Sequence, residues 1–189
     1  IWISALIGVI LIAWIRSFDI YEKEAFIAML WAFIAGGITS VMIALGAYEF
    51  LRAFGLNDEV ISNALGSLLV IGPVEEFAKL LGLVVVYSLI RKQFNELTDG
   101  IIYMSCVALG FSIIENYFYA NAGENSQYLL VYRAFISTPA HISFSVIIGY
   151  AWYRYKKENK PFSTVIVALL IASLLHGIFD ALAFTPGYN

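Results

Sequence analysis

The feature that most constrains this chain is a succession of apolar stretches separated by short polar loops. Residues 1–15, 25–51, 60–90, 100–121, 132–153 and 162–184 are predominantly apolar. Crossing a hydrocarbon core about 30 Å thick takes roughly 17–25 helical residues. Strands of a membrane barrel would instead alternate over segments of about ten residues. A backbone in lipid must also satisfy its own hydrogen bonds, which favours helices. Only 13% of the 189 residues are charged and 61% are hydrophobic, against roughly 25% charged in a soluble domain. A net charge of −3 and one cysteine, Cys106, exclude a basic nucleic-acid binder and a disulfide-stapled module. The expectation is an all-α polytopic transmembrane bundle forming one domain over residues 1–189.

The run 60–90 would be about 45 Å long as a single helix, too long for one upright crossing. Gly72-Pro73 is read as its break, because proline suits the first turn of a new helix. Residues 73–90 then cross, preceded by a half-helix or interfacial segment over 60–71, for six spans in all. Segment 52–72 is the expected route for water. The small-residue patch Ala35-Gly36-Gly37 suits close helix packing. The chain opens inside an apolar run without an initiator methionine or a basic flank. That reads as a first helix missing its start and not as a signal peptide.

Loop charges orient the bundle. Arg16, Lys23, Arg91, Lys92, Arg154, Lys156, Lys157 and Lys160 fall on one side, against Arg52 and Arg133 on the other. The basic side is expected to be cytoplasmic, with the C-terminus outside.

Seven ionisable residues lie within the spans: Glu75, Glu76, Lys79, Glu115, His141, His176 and Asp180. Each costs about 2.5–3.5 kcal/mol to insert, so they are expected to meet one another, water or an ion. At about 1.5 Å per residue, Glu75 and Glu115 lie about 22 Å from the cytoplasmic ends of their helices. On the same scale His176 lies about 21 Å deep and His141 about 18 Å. Four polar residues on four helices thus share one layer in the outer half of the bilayer. Each has a polar residue at i+4, on its own helix face: Lys79, Tyr119, Ser145 and Asp180. For histidine this is the arrangement that orients a metal ligand, most clearly for His176 with Asp180.

Two imidazoles and a carboxylate are a common ligand set for catalytic zinc, with one position left for water. Glu115, His141 and His176 are the candidate ligands, and Glu75 or Glu76 the candidate general base. Spacing leaves the choice between the two glutamates open. Blander readings compete with these. A membrane histidine can simply bond a neighbouring helix, and Glu75 can form an i,i+4 ion pair with Lys79, which would leave Glu76 as the working residue. Arg133 reads as a headgroup anchor or a partner of Asp180. Asn116 either orients a substrate carbonyl or bridges helices.

The residues resemble the PrsW-type intramembrane proteases, distantly similar to CAAX prenyl endopeptidases and bacteriocin-processing membrane proteases. The resemblance rests on Glu75-Glu76-x-x-Lys79, Phe111-x-x-x-Glu115-Asn116-x-x-Tyr119, Arg133 with His141 eight residues on, and His176-x-x-x-Asp180. It covers about residues 70–185, the expected catalytic core. It implies proteolysis of single-pass membrane substrates, such as an anti-sigma factor, in the membrane of a prokaryotic cell. It also implies essential roles for the paired glutamates and both histidines.

The expected activity is therefore hydrolysis of a peptide bond in the outer half of the bilayer, with a metal-bound water and a glutamate base, zinc being the expected metal. Glu75, Glu76, Asn116 and Asp180 form the expected catalytic set beside the three ligands. Two alternatives stand. One is a metal-free glutamate protease in which the histidines stabilise the oxyanion. The other is a proton- or cation-coupled transporter, against which the sequence shows no inverted repeat.

Overall fold

The computed structural model describes residues 2–19, 22–120 and 126–183, and every regular element among them is helical. Helices α1 (Trp2–Ser17) and α2 (Phe26–Trp31) come first; a π-helical turn over Ala32–Gly36 then leads into α3 (Gly37–Ala53). Short α4 (Asp58–Ser62) and α5 (Ala64–Gly66) come next, and a second π-helical turn over Ser67–Ile71 enters α6 (Gly72–Ile90). After α7 (Leu97–Ala120) and α8 (Ser126–Tyr132), a third π turn over Arg133–Ser137 leads into α9 (Thr138–Lys157), and α10 (Ser163–Ala183) ends the bundle. Within the expected core of 70–185, residues 121–125 and 184–185 lie outside the described part.

Among the described residues, four helical stretches are long and apolar enough to cross a membrane: Phe26–Ala53, Leu97–Ala120, Leu129–Lys157 and Ser163–Ala183. The other two expected spans are shorter or more polar. Helix α1 has 16 residues, and α6 has 19 with Glu75, Glu76 and Lys79 in its first half. The expected break of the run 60–90 also falls elsewhere. The chain turns at Asn63, which has extended backbone and whose side chain caps the Gly66 amide. Helix then continues through Gly72-Pro73. Proline at position 73 removes the bond to the Leu69 carbonyl and crowds it; Leu69 lies inside the π turn, whose wider ring relieves that conflict without ending the helix.

Helix α7 is the centre of the bundle, with Tyr103, Met104, Val107, Ala108 and Leu109 all fully buried. A helix buried on every side must be apolar on every side, as this one is for most of its length. Helix α3 approaches it where a Cβ on Gly37 would stand 2.7 Å from the Gly110 Cα, a distance no side chain tolerates. This is the close packing expected of the small-residue patch.

The loops expected on the basic side do converge on one end. Asn95 donates its amide to Glu22 at 2.9 Å, Tyr153 reaches the Asn95 carbonyl at 3.0 Å, and Lys157 the Arg91 carbonyl at 3.5 Å. Beneath them Glu24 is buried. Tyr103 donates to its carboxyl, and its backbone amide donates to Asp19 at 2.8 Å. Burial, reinforced by the neighbouring Asp99 and Asp19, pushes the Glu24 carboxyl up to about 8. A folded value above the ordinary one means the fold holds this proton where the unfolded chain releases it. Stability from this group is therefore complete below the ordinary carboxylate range and is lost as pH rises toward 8. Thermal unfolding of detergent-solubilised protein from pH 5 to pH 9 is expected to show that decline, and Glu24→Gln to flatten it; an unchanged slope would refute this assignment.

Candidate functional site

Two of the π turns set the site residues. Pro73 comes after the turn over Ser67–Ile71 and Pro139 after the turn over Arg133–Ser137, and in each case the carbonyl four residues back, of Leu69 or Phe135, lies within the π turn. A π turn inserts one residue and so rotates the downstream residues by about 100° around the helix axis. Glu75 and His141 each come two residues after their proline. The third element, α10, is pressed against this region at Gly177, where a Cβ would lie 2.7 Å from the Leu68 Cα. His176 is thereby brought beside the start of α6.

Glu76 lies at the centre, with 0% of its surface exposed. Its Oε1 accepts from the Lys79 ammonium at 2.7 Å and lies 2.9 Å from His176 Nδ1, and its Oε2 accepts from the Ser145 hydroxyl at 2.7 Å. Lys79, also fully buried, reaches His141 Nδ1 at 2.9 Å. One carboxylate thus fixes His176 directly and His141 through a lysine. The i,i+4 ion pair imagined for Glu75 is only a 3.9 Å approach, whereas the tight partner of Lys79 is Glu76 at i+3. The glutamate committed to structure is therefore Glu76, and Glu75 is the freer one.

Glu75 faces a cavity of about 410 Å³ between α3, α4, α6, α7 and α10, lined also by Tyr48, Phe111, Glu115, Tyr119 and Asp180. Tyr48 donates to Glu75 Oε1 at 3.0 Å, while Oε2 is buried without a hydrogen bond. That Oε2 is 3.7 Å from His176 Nε2, and Asp180 stands 3.3 Å from the same nitrogen. Glu115 approaches His141 Nε2 at 3.0 Å and pairs with Arg133 at 2.6 Å. Arg133 also donates to Asn116 at 2.6 Å and lies over the Tyr119 ring at 3.9 Å. Its partner is thus Glu115 and neither Asp180 nor a headgroup. Asn116 is buried away from the cavity and donates to Thr138 at 3.1 Å, the helix-bridging role. Of the expected i+4 neighbours, Asp180 contacts its histidine and Ser145 serves Glu76 instead.

Sequence reasoning gives no role to Tyr48, on α3, outside the recognised motifs. It likewise treats Lys79 as a neutralising partner and not as the link to His141. A lone tyrosine in an apolar run carries no signal; an ammonium beside two carboxylates does.

The donor set suits a cation. Glu75, Glu76, Glu115 and Asp180 place four carboxylates around two neutralising side chains, Lys79 and Arg133. His176 gives its Nδ1 side to Glu76; in the neutral ring with its proton on Nδ1, Nε2 would turn a lone pair toward the oxygens of Glu75 and Asp180, where a cation could bridge them. Ligand atoms of Glu75, His141 and His176, all buried, lie within 4.8 Å of one another. The expected trio had Glu115 as its carboxylate; the trio brought this close has Glu75.

Buried charges bound to each other should fail when one is removed. Lys79→Met or Glu76→Leu is expected to destabilise the protein by about 3 kcal/mol or more, through an uncompensated buried charge. Glu75→Gln, which keeps the Tyr48 bond, should melt within a few degrees of the parent protein. Equal thermal stability of all three variants in detergent would contradict this division.

Known sequences match most of the chain. The family profile described as PrsW family intramembrane metalloprotease matches residues 24–188, reaching well before the first motif. Protease PrsW of Clostridioides difficile is 38% identical over 173 residues, covering 88% of this chain and 71% of that protein. Protease PrsW of Geobacillus kaustophilus is 33% identical over 178 residues, 92% and 74% of the two chains. The Oceanobacillus iheyensis protein of the same name is 29% identical over 168 residues, 85% and 74%. No solved structure matches.

Proposed function

Because this chain belongs to the PrsW family of intramembrane proteases, we propose that Glu75, His141 and His176 form its hydrolytic centre and hold a divalent cation. The observation that carries this reading is the approach of their ligand atoms to within 4.8 Å, beside an open cavity lined by Glu75. A divalent cation, zinc being the expected one, supplies Lewis acidity there: it acidifies a water and polarises a carbonyl.

The side chains have separable tasks. Glu76 orients His176 through Nδ1, and Lys79, as a neutral amine accepting from His141 Nδ1–H, would leave Nε2 of that ring free for the cation. Tyr48 holds Glu75 in one rotamer. Glu115 is the other glutamate that lines the cavity, its Oε2 paired with Arg133 at 2.6 Å. It is placed to take a proton from water and return it to the leaving amine, Arg133 balancing its charge throughout. Asp180 supports His176 from the adjacent turn.

A second reading is favoured by one contact. If Lys79 donates to His141 Nδ1, the ring proton lies on Nε2, where it can serve as a hydrogen-bond donor to an oxyanion. Glu75 would then be the base of a metal-free glutamate protease. Glu75 is indispensable in both readings, as a ligand in the first and a base in the second.

The apolar cavity walls suit an extended membrane segment. The substrate class is a single-pass membrane protein, with an anti-sigma factor the example implied by the family. Six crossings, basic loops in the cytoplasm and a cavity in the outer half of a bacterial plasma membrane complete the picture, with α4 and the Arg52–Asp58 pair at 2.8 Å beside the cavity as the route of entry.

Purified protein analysed for metal and assayed on a tagged single-pass substrate tests this. About one divalent ion per chain is expected, lost with cleavage in Glu75→Gln and His176→Ala, while Glu115→Gln keeps the ion and loses cleavage by roughly 10²–10⁴-fold. Full cleavage without metal after chelation would overturn the first reading and leave the second; undiminished cleavage by Glu75→Gln would overturn both.

A further inference from the structure

A second cavity, about 490 Å³, shares no lining residue with the first and lies between α1, α2 and α7, reaching Arg16 and Lys23 of the basic loops. Its walls are almost wholly apolar, including Gly8, Ile12, Phe26, Met29 and Phe33, and its rim carries Arg16 and Lys23. From Gly8 to Arg16 it runs along α1 for about 12 Å. Val9 and Phe26, each 65% exposed, leave it open along its side.

The two basic side chains at the rim, Arg16 and Lys23, are not ion-paired among the described residues. Arg16 donates its Nε to the Glu24 carbonyl at 2.9 Å, while the Glu24 carboxyl is turned inward to Tyr103. Asp19 accepts from the Glu24 amide at 2.8 Å and Glu22 from Asn95 at 2.9 Å, and neither forms an ion pair with Arg16 or Lys23. Two cations therefore stand at the mouth of an apolar trough without a direct carboxylate partner among the described residues. A neutral lipid or a detergent tail would fill the trough and leave the rim unmatched, and an acidic protein segment would match the rim and leave the trough in want of an alkyl chain.

We propose that this groove binds an anionic phospholipid, its phosphate between Arg16 and Lys23 and one acyl chain along α1 and α2. A basic residue near an anionic lipid contributes about 1 kcal/mol, which is roughly five-fold in affinity for each. The bound lipid buttresses α1 against the rest of the bundle, at the end opposite the hydrolytic centre, and the proposal is independent of the chemistry assigned there.

The test uses the whole chain in mild detergent, titrated with phosphatidylglycerol or with phosphatidylcholine of identical acyl chains, bound lipid being counted by native mass spectrometry. Phosphatidylglycerol is expected to bind roughly 20-fold more tightly. Lys23→Gln, whose side chain holds nothing else, should lose about five-fold of that preference, and Arg16→Gln with Lys23→Gln should abolish it. Ala13→Phe, on the groove wall, should weaken both lipids. Glycerol phosphate without acyl chains should not compete. Equal binding of the two lipids would overturn the proposal, as would a preference surviving the double variant, indifference to Ala13→Phe, competition by the headgroup alone, or a dimer that excludes lipid.

Discussion

The structure depends on how four carboxylates are kept inside a bundle that the rest of the sequence commits to lipid. Each such group is costly in hydrocarbon, and an isolated one would not remain charged. Glu76 meets the requirement completely, with Lys79, His176 and Ser145 on its two oxygens. Helices α6, α9 and α10 are thereby tied together by a group whose two oxygens are both engaged. Glu115 meets it with Arg133 and His141, which ties α7 to the π turn before α9. Glu75 meets it only in part. Of the adjacent pair, the glutamate left short of partners is the one that faces the cavity, which is what a ligand or a base requires.

The two proline-bearing π turns explain how adjacent glutamates acquire different fates. On a regular helix, residues 75 and 76 diverge by about 100°, and the preceding turn decides which direction is the interior. Pro73 and Pro139 make those turns π-helical by removing a donor and crowding the carbonyl four residues back. The same local conflict therefore appears twice, just ahead of the carboxylates and just ahead of His141. It lies outside any side-chain chemistry, yet it sets the angles at which that chemistry is presented.

Much of this is legible in the sequence. Apolar stretches of membrane length specify helices, and loop charges group three loops that indeed contact one another at one end. Depth along each helix places Glu75, Glu115, His141 and His176 in one layer, and the structure brings them together. Rotation is the quantity that spacing does not convey. Spacing leaves Glu75 and Glu76 interchangeable, makes Lys79 the i+4 partner of the former, and leaves Arg133 without its true partner. Tyr48 is invisible because its role comes from where α3 packs and not from any local pattern. The break expected at Gly72-Pro73 illustrates the same limit: proline signals a disturbed turn, while Asn63, with a capping side chain and extended backbone, is where the chain changes direction.

The central claim is that three side chains from three helices act as one unit, with metal or without it. Cleavage rates of the single Glu75→Gln, His141→Ala and His176→Ala proteins compared with the triple variant measure this directly, since residues that act together are strongly non-additive. The triple variant is expected to fall to the same residual rate as the singles. Losses that multiply from one substitution to the next would mean that the three groups work apart, and would contradict the claim.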